Sequence, residues 1–420
     1  MTNSPEADTG AAPIGRIPRK VWVVLGLLLA LGVLNYFERQ TLSILKPVLK
    51  LELAFDDAAY SFLTFAFMLP YIIMYAVSGR LIDRFGTRIS MTVFATGWSL
   101  ANIASGLSRS FAHLATARAF LGVAEPGAFP VIQRAILNWV PLDHRAFALS
   151  IVTPAGSLGA ILAPPLVALL ATSLGWRAAF VIPGVIGVII AIVWWCVDTK
   201  GPATQQQVVD DVPEPLSTLF RDRNFWAIVA ARMVSDPVWF FYLFWIPGYL
   251  QERVGLSLGE LGLVGGLPYI CALIACVAMG RAVDRFAIRG HDPVTVQLRF
   301  FCATAALMPL GALITMTASP ALAIVIICVV ISVCQSWFVG FNVLLAGLFP
   351  VKINGSALGI LGAVGASTAL VLNLLAGSIL QQFDYVAIFA GLALLHPIAA
   401  LILMAVIARR RSKPTAPRDT

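Results

Sequence analysis

Long apolar runs alternate with short polar breaks along almost the whole chain. Twelve runs reach spanning length, near residues 21–46, 58–79, 89–108, 111–140, 146–171, 176–196, 224–251, 259–281, 298–317, 320–349, 355–380 and 384–408. A helix of about 20 apolar residues crosses the hydrocarbon of a bilayer and satisfies its own backbone, so each run predicts a transmembrane helix. The expected fold class is an all-α membrane protein of twelve helices. Residues 1–20 and 409–420 read as polar tails. The one long polar stretch, residues 197–223, reads as a linker between a half at 21–196 and a half at 224–408.

Charged and amide side chains inside these runs are expensive, and by default they mark sites. Arg118 and Glu125 lie in one run. Seven residues at ~100° each make about two turns, which puts both side chains on one face. The first run carries Asn35, Tyr36, Glu38, Arg39 and Gln40. Glu38 and Arg39 are adjacent, hence about 100° apart, and can face different partners. Arg232 and Asp236 are spaced to neutralise one another, so that pair reads equally as structural or functional. The aromatic run from Trp239 to Trp245 reads mainly as a lipid-facing belt, with a gate or sugar-stacking surface as the alternative. Asn342 and Asn373 fit interhelical hydrogen bonding and ligand contact equally well, and Gly359, Gly362 and Gly365 mark a helix that packs closely or bends.

The stretch Gly79 to Arg88, GRLIDRFGTR, returns as Gly280 to Arg289, GRAVDRFAIR, with Gly, Arg, Asp, Arg, Phe and Arg in the same register. Each copy follows the second span of its half, so the chain is two related halves. Repeated halves with unevenly polar helices are the pattern of secondary transporters, whose site lies between the halves near the midplane. In these turns Gly79 and Gly280 permit close helix approach, while Asp83, Arg84, Asp284 and Arg285 can cap and pair as the halves rock.

Composition agrees: of 420 residues 59% are hydrophobic and 12% charged, where a soluble protein has about 25% charged residues. The net charge of +8 does not indicate nucleic acid, because the basic residues fall on alternate loops. Arg16, Arg19, Lys20, Arg84, Arg88, Arg145, Lys200, Arg221, Arg223, Arg285, Arg289, Arg299, Lys352 and Arg409 to Arg411 share one side. Lys46, Lys50, Arg109, Arg177 and Arg253 share the other. The positive-inside rule then predicts both termini in the cytoplasm. No cleaved signal peptide is expected, since the first twenty residues lack an apolar core. The six cysteines have neither disulfide nor zinc spacing and read as packing residues. No phosphate-binding loop is present, which argues against ATP-driven transport. His113, His144, His291 and His396 read as helix-end or loop residues, so neither a metal site nor an embedded hydrolase emerges.

The duplicated turns resemble the signature loop of the major facilitator superfamily. More narrowly, NYFERQTLS at 35–43, ARAFLGVAEPGAFP at 117–130 and SDPVWFFYLFWIPGYLQ at 235–251 resemble its anion:cation symporter branch, especially bacterial hexuronate transporters. The resemblance implies two six-helix pseudo-symmetric halves in a bacterial inner membrane, and uptake of an organic anion, such as a sugar acid, with protons. It places Tyr36, Arg39, Tyr71 and Arg118 at substrate-binding positions and Glu125 and Glu38 at proton-coupling positions, Glu38 standing where the branch usually has aspartate. No cofactor beyond the proton gradient is expected. The expected partners are a small organic anion, protons and the lipid bilayer, with the chain acting as a monomer. An anion exchanger or a uniporter for another small carboxylate is the alternative. Helix 5 reads TPAGSLGAILAPP at 153–165 and lacks the Gly-Pro-rich pattern of the superfamily's drug antiporters.

Overall fold

A computed structural model describes residues 18–141, 144–197 and 217–408. Most of both tails and of the linker, with Arg16, Lys200 and Arg409 to Arg411, lies outside these residues. Nine described helices are long and apolar enough to cross a membrane. Two of them hold two spans each, because single residues fold the chain back: Gly86 at φ 75° and Asp384 at φ 62°. An interrupted helix at 111–139 completes the twelve. We label the spans α1 (Arg19–Ile44), α2 (57–85), α3 (87–106), α4 (111–139), α5 (145–174), α6 (Ala178–Val197), α7 (Arg223–Glu252), α8 (258–288), α9 (293–315), α10 (Pro320–Leu348), α11 (351–383) and α12 (385–408). The repeated charged stretches, read from sequence as turns, are largely helical. α2 continues through Asp83 and Arg84 until Gly86, whose positive φ suits a residue without Cβ. α8 continues to Ile288 before Gly290 turns at φ 84°.

Short polar loops start the helices they precede. Asp56, Ser110, Asp222, Ser257, Asp292 and Ser319 each accept from a backbone N–H in the first turn, and Ser257 with Glu260 forms a capping box. Such caps satisfy the N–H groups a helix start leaves without an intrahelical partner. α7 is the most buried of the candidate spans. Its aromatic run is therefore not a lipid-facing belt. Trp239, Phe241, Tyr242, Phe244 and Trp245 are all buried. Trp245 Nε1 donates to Asn373 Oδ1 at 3.1 Å, and Tyr60 donates to the Phe244 carbonyl at 2.7 Å. A central helix between two halves needs apolar bulk all round, whereas a belt needs only an interfacial ring.

Contacts between the halves gather at the end of the bundle that carries Asp384. Lys46 Nζ lies 2.9 Å from Asp57 Oδ1 and 3.0 Å from Glu252 Oε2; Lys50 Nζ reaches the same two residues at 2.9 and 3.3 Å. Gln251 Nε2 donates to the Ile44 carbonyl, Gln381 Nε2 to Asp56, and the Gly377 N–H to Ser61 Oγ. α5 and α8 meet on the other flank, where a Cβ on Gly266 would lie 2.8 Å from the Ile161 carbonyl oxygen. At the opposite end, which carries Gly86, the side chains of Asp83, Arg84, Asp284 and Arg285 are exposed. Among the described residues, the ion pairs between the halves lie at the Asp384 end.

Candidate functional site

Between the halves lies a cavity of about 290 Å³ whose wall includes Tyr36 and Arg39 of α1, Tyr71 and Tyr75 of α2, Arg232, Asp236 and Trp239 of α7, Gln335 and Phe338 of α10, and Gly362 of α11. Arg39 dominates the first half's wall. Its Nε donates to Glu125 Oε1 at 2.6 Å, and an Nη lies 2.5 Å from the same oxygen. The guanidinium also sits over three rings, with centroids at 4.6 Å (Tyr36), 5.0 Å (Tyr71) and 5.7 Å (Phe67). Desolvated cation–π contacts are each worth up to ~2 kcal/mol, so this arginine is held rigidly on the cavity wall.

Glu125 is brought there by a defect in α4. The helix is α-helical over Phe111–Ala124, narrows to a 3-10 turn at Glu125–Gly127, and resumes at Ala128–Trp139. Pro126 lacks the N–H an α-helix would use, which accounts for the tighter turn. The sequence places Glu125 on the same face as Arg118, but its ion-pair partner is Arg39 on α1. Arg118 is wholly buried, and none of its three nitrogens has a hydrogen-bond partner among the described residues. It stands 5.2 Å from the centroid of Phe67, the ring that Arg39 also faces, and is not part of the cavity wall. Glu38 is buried, neither of its oxygens has a hydrogen-bond partner among the described residues, and it points into the first half, where a Cβ on Gly187 would lie 3.6 Å from its Oε1. Adjacent Glu38 and Arg39 thus face different surroundings, as their ~100° separation allows.

On the other wall Arg232 Nε and an Nη each lie 2.8 Å from Asp236 Oδ2, and the guanidinium faces Phe338 and Phe341 at 4.6 and 5.2 Å. Gly365 of α11 abuts the Asp236 carboxylate so closely that any Cβ would collide with it. Asn373 is buried and bonded to Trp245 and the Ala369 carbonyl, and Asn342 is exposed; neither lines the cavity. The six residues Gly79, Asp83, Arg84, Gly280, Asp284 and Arg285 stand at the Gly86 end, away from the cavity. His396 corrects the sequence reading: it lies inside α12, buried, 4.7 Å from the Trp337 ring. A histidine late in an apolar run can pack against an aromatic as readily as it can end a helix. Sequence reasoning missed Tyr75, Gln335 and Phe338. Only Gln335, an amide in an apolar run, carried a signal that could have found it.

At the Asp384 end, outside the spans, the Lys50 ammonium lies in the pair network. Burial acts to lower its pKa, but Asp57 and Glu252 outweigh that and raise it above the ordinary lysine value.

The sequence profile described as the Major Facilitator Superfamily matches residues 28–343. The hexuronate transporter of Escherichia coli K12 is 26% identical over 405 residues, covering 92% of this chain and 94% of that protein. The galacturonate transporter of Dickeya chrysanthemi is 28% identical over 277 residues, covering 62% and 80%. Among solved structures, a bacterial homologue of the human lysosomal transporter Spinster, inward-facing and occupied, superposes with a TM-score of 0.78 at 16% identity over 96% of this chain and 100% of that one.

Proposed function

The chain belongs to the Major Facilitator Superfamily, and from that premise we propose that it takes up a sugar acid of the hexuronate class together with protons, by alternating access. It is a secondary transporter and not an enzyme. The named relatives carry hexuronate and galacturonate, and the cavity supports the same class here. The observation that carries the reading is Arg39: a cation on the cavity wall, stacked on two tyrosines and balanced by a carboxylate able to take a proton.

A guanidinium binds a carboxylate through two parallel N–H bonds, which suits the acid end of a uronate, while Tyr36, Tyr71, Trp239 and Gln335 suit its hydroxylated ring. Glu125 already occupies two of the N–H groups of Arg39. An incoming anion competes for them, and a carboxylate left in a dry site without its counter-ion is stable only with a proton on it. Binding of anion and proton are then mutually favourable, and one proton per monoanion is electroneutral. Arg118, behind Phe67, and Glu38, in the interior of the first half, act through their field. Closure at the Asp384 end is one half of the cycle, in which the charged stretches at the Gly86 end are exposed; they meet when that end closes. By the distribution of basic residues, the Gly86 end is cytoplasmic.

The test is Glu125→Gln in proteoliposomes, a fixed mimic of the protonated side chain. Counterflow of labelled glucuronate is expected to persist, whereas accumulation driven by a pH gradient is lost. Undiminished pH-driven accumulation would remove Glu125 from the coupling scheme. A wild-type protein that binds no sugar acid would remove the substrate class.

A further inference from the structure

The cavity has a second arginine–carboxylate pair, and it is built like the first. Arg39 spends its Nε and an Nη on a single oxygen of Glu125; Arg232 spends the same two groups on a single oxygen of Asp236. Each guanidinium lies over aromatic rings, those of Tyr36, Tyr71 and Phe67 in one case and Phe338 and Phe341 in the other. Both arginines border the same cavity, one from each half.

The second pair does little that a structural ion pair does. It joins two residues of one helix, so its hydrogen bonds tie α7 to no neighbour, yet both groups are taken almost completely out of water. Desolvating two charges is costly, and apolar residues of the same size would pack α7 at least as well. α11 moreover forgoes a side chain at Gly365, where the Asp236 carboxylate sits. Room has been kept on the cavity wall for a charge.

We propose that Arg232 with Asp236 is a second anion-binding point, and that the preferred ligand carries a carboxylate at each end of a short hydroxylated chain. Such a sugar diacid bridges the halves, one end at Arg39 and the other at Arg232. This rests on the sugar-acid reading above and narrows it from monoanions to dianions. The empty site is neutral, with two arginines against two carboxylates. Each end of the ligand displaces one carboxylate, which then holds a proton, so the filled site is again neutral. The ionisable groups around Asp236 are Arg232 on its own helix, Cys334 on α10, and Tyr36, Arg39, Tyr71 and Tyr75 on the cavity wall of the other half.

The probes are glucuronate, with one carboxylate, and glucarate, with two, in competition for labelled glucuronate on the full-length protein in proteoliposomes. Wild type is expected to bind glucarate about tenfold or more tightly than glucuronate, since a second charge-assisted contact is worth at least one decade. The double substitution Arg232→Gln with Asp236→Asn, which leaves no orphan charge, is expected to bring that ratio close to one. A ratio near one in wild type overturns the proposal without any variant and leaves the sugar-acid reading intact. A double variant that is monodisperse and keeps the wild-type ratio also overturns it, and assigns the pair to packing. Binding of neither acid by wild type removes the functional reading itself, and this proposal with it.

Discussion

Arg39 is the side chain on which recognition turns, because among the described residues it is the only cation of the first half on the cavity wall. Its planar fork is matched to a carboxylate and its faces to Tyr36 and Tyr71, and a lysine ammonium reproduces neither. Arg39→Lys is therefore expected to weaken glucuronate binding by about tenfold to a hundredfold, the loss of one charge-assisted hydrogen bond of ~1.5–3 kcal/mol. Competition binding on the purified variant checks this, and an affinity within twofold of wild type would make the arginine's role structural. Glu38 is the contrasting case. It touches the interior of the first half rather than the cavity, so Glu38→Gln is expected to leave the affinity for glucuronate close to wild type while reducing pH-driven accumulation less than Glu125→Gln does. Parallel counterflow and gradient-driven uptake measure the two effects; a larger defect than that of Glu125→Gln would reverse the order of the two carboxylates.

Among the elements, α4 depends on its interruption. A 3-10 turn advances ~120° per residue against ~100° in an α-helix, so three such residues rotate the rest of the span by about 60°. That rotation sets Phe129 edge-on to Tyr36, 5.8 Å between centroids, while Glu125 reaches Arg39. Pro126→Ala restores the missing N–H and allows the α-helix to run through. The expected result is a folded protein, with an unchanged helical circular dichroism spectrum, whose pH-driven uptake falls about tenfold, the loss of roughly 1.4 kcal/mol of positioning. Uptake equal to wild type would show that the break in α4 does not set the position of Glu125.

For the whole molecule, the question is what holds the halves together at the Asp384 end. Lys46 is wholly buried, bridges Asp57 and Glu252, and lies over the Trp245 and Tyr60 rings. Asp57 and Glu252 keep Lys50 when Lys46 is removed, so the loss is put at about 1.5–3 kcal/mol for one charge-assisted contact, enough to move a two-state equilibrium by a decade or more. Lys46→Met is therefore expected to shift the population towards opening at the Asp384 end, read as lengthened distances between spin labels placed on the Asp384-end loops of the two halves. Unchanged distance distributions would locate the latch elsewhere, for instance in the α5–α8 contact. The sign of the pH effect follows from Lys50. A raised lysine pKa contributes stability fully present below the ordinary lysine value and lost as pH climbs through the raised one, so the contribution of Lys50 to the latch is intact at neutral pH and is lost in strong alkali.

Much of this was legible in the chain itself. Twelve spans follow from the cost of unsatisfied backbone in lipid, two halves follow from a duplicated ten-residue stretch, and the charges of α1 and α4 stand out because each is expensive where it lies. Those are one-dimensional facts, set by composition and period along single helices. Which charge meets which is a fact between helices, and only the packing decided it. Glu125 pairs with Arg39 across α1 and α4 although Arg118 shares its own helix face. Arg118 ends behind Phe67 and Glu38 in the interior of the first half rather than in the cavity, and the aromatics of α7 became core because that helix lies between the halves. Lys46 and Lys50, which look from sequence like loop charges on the less basic side, became the tie between halves. A helix's period says which residues share a face, but the neighbour that face meets is chosen by shape and volume over the whole bundle.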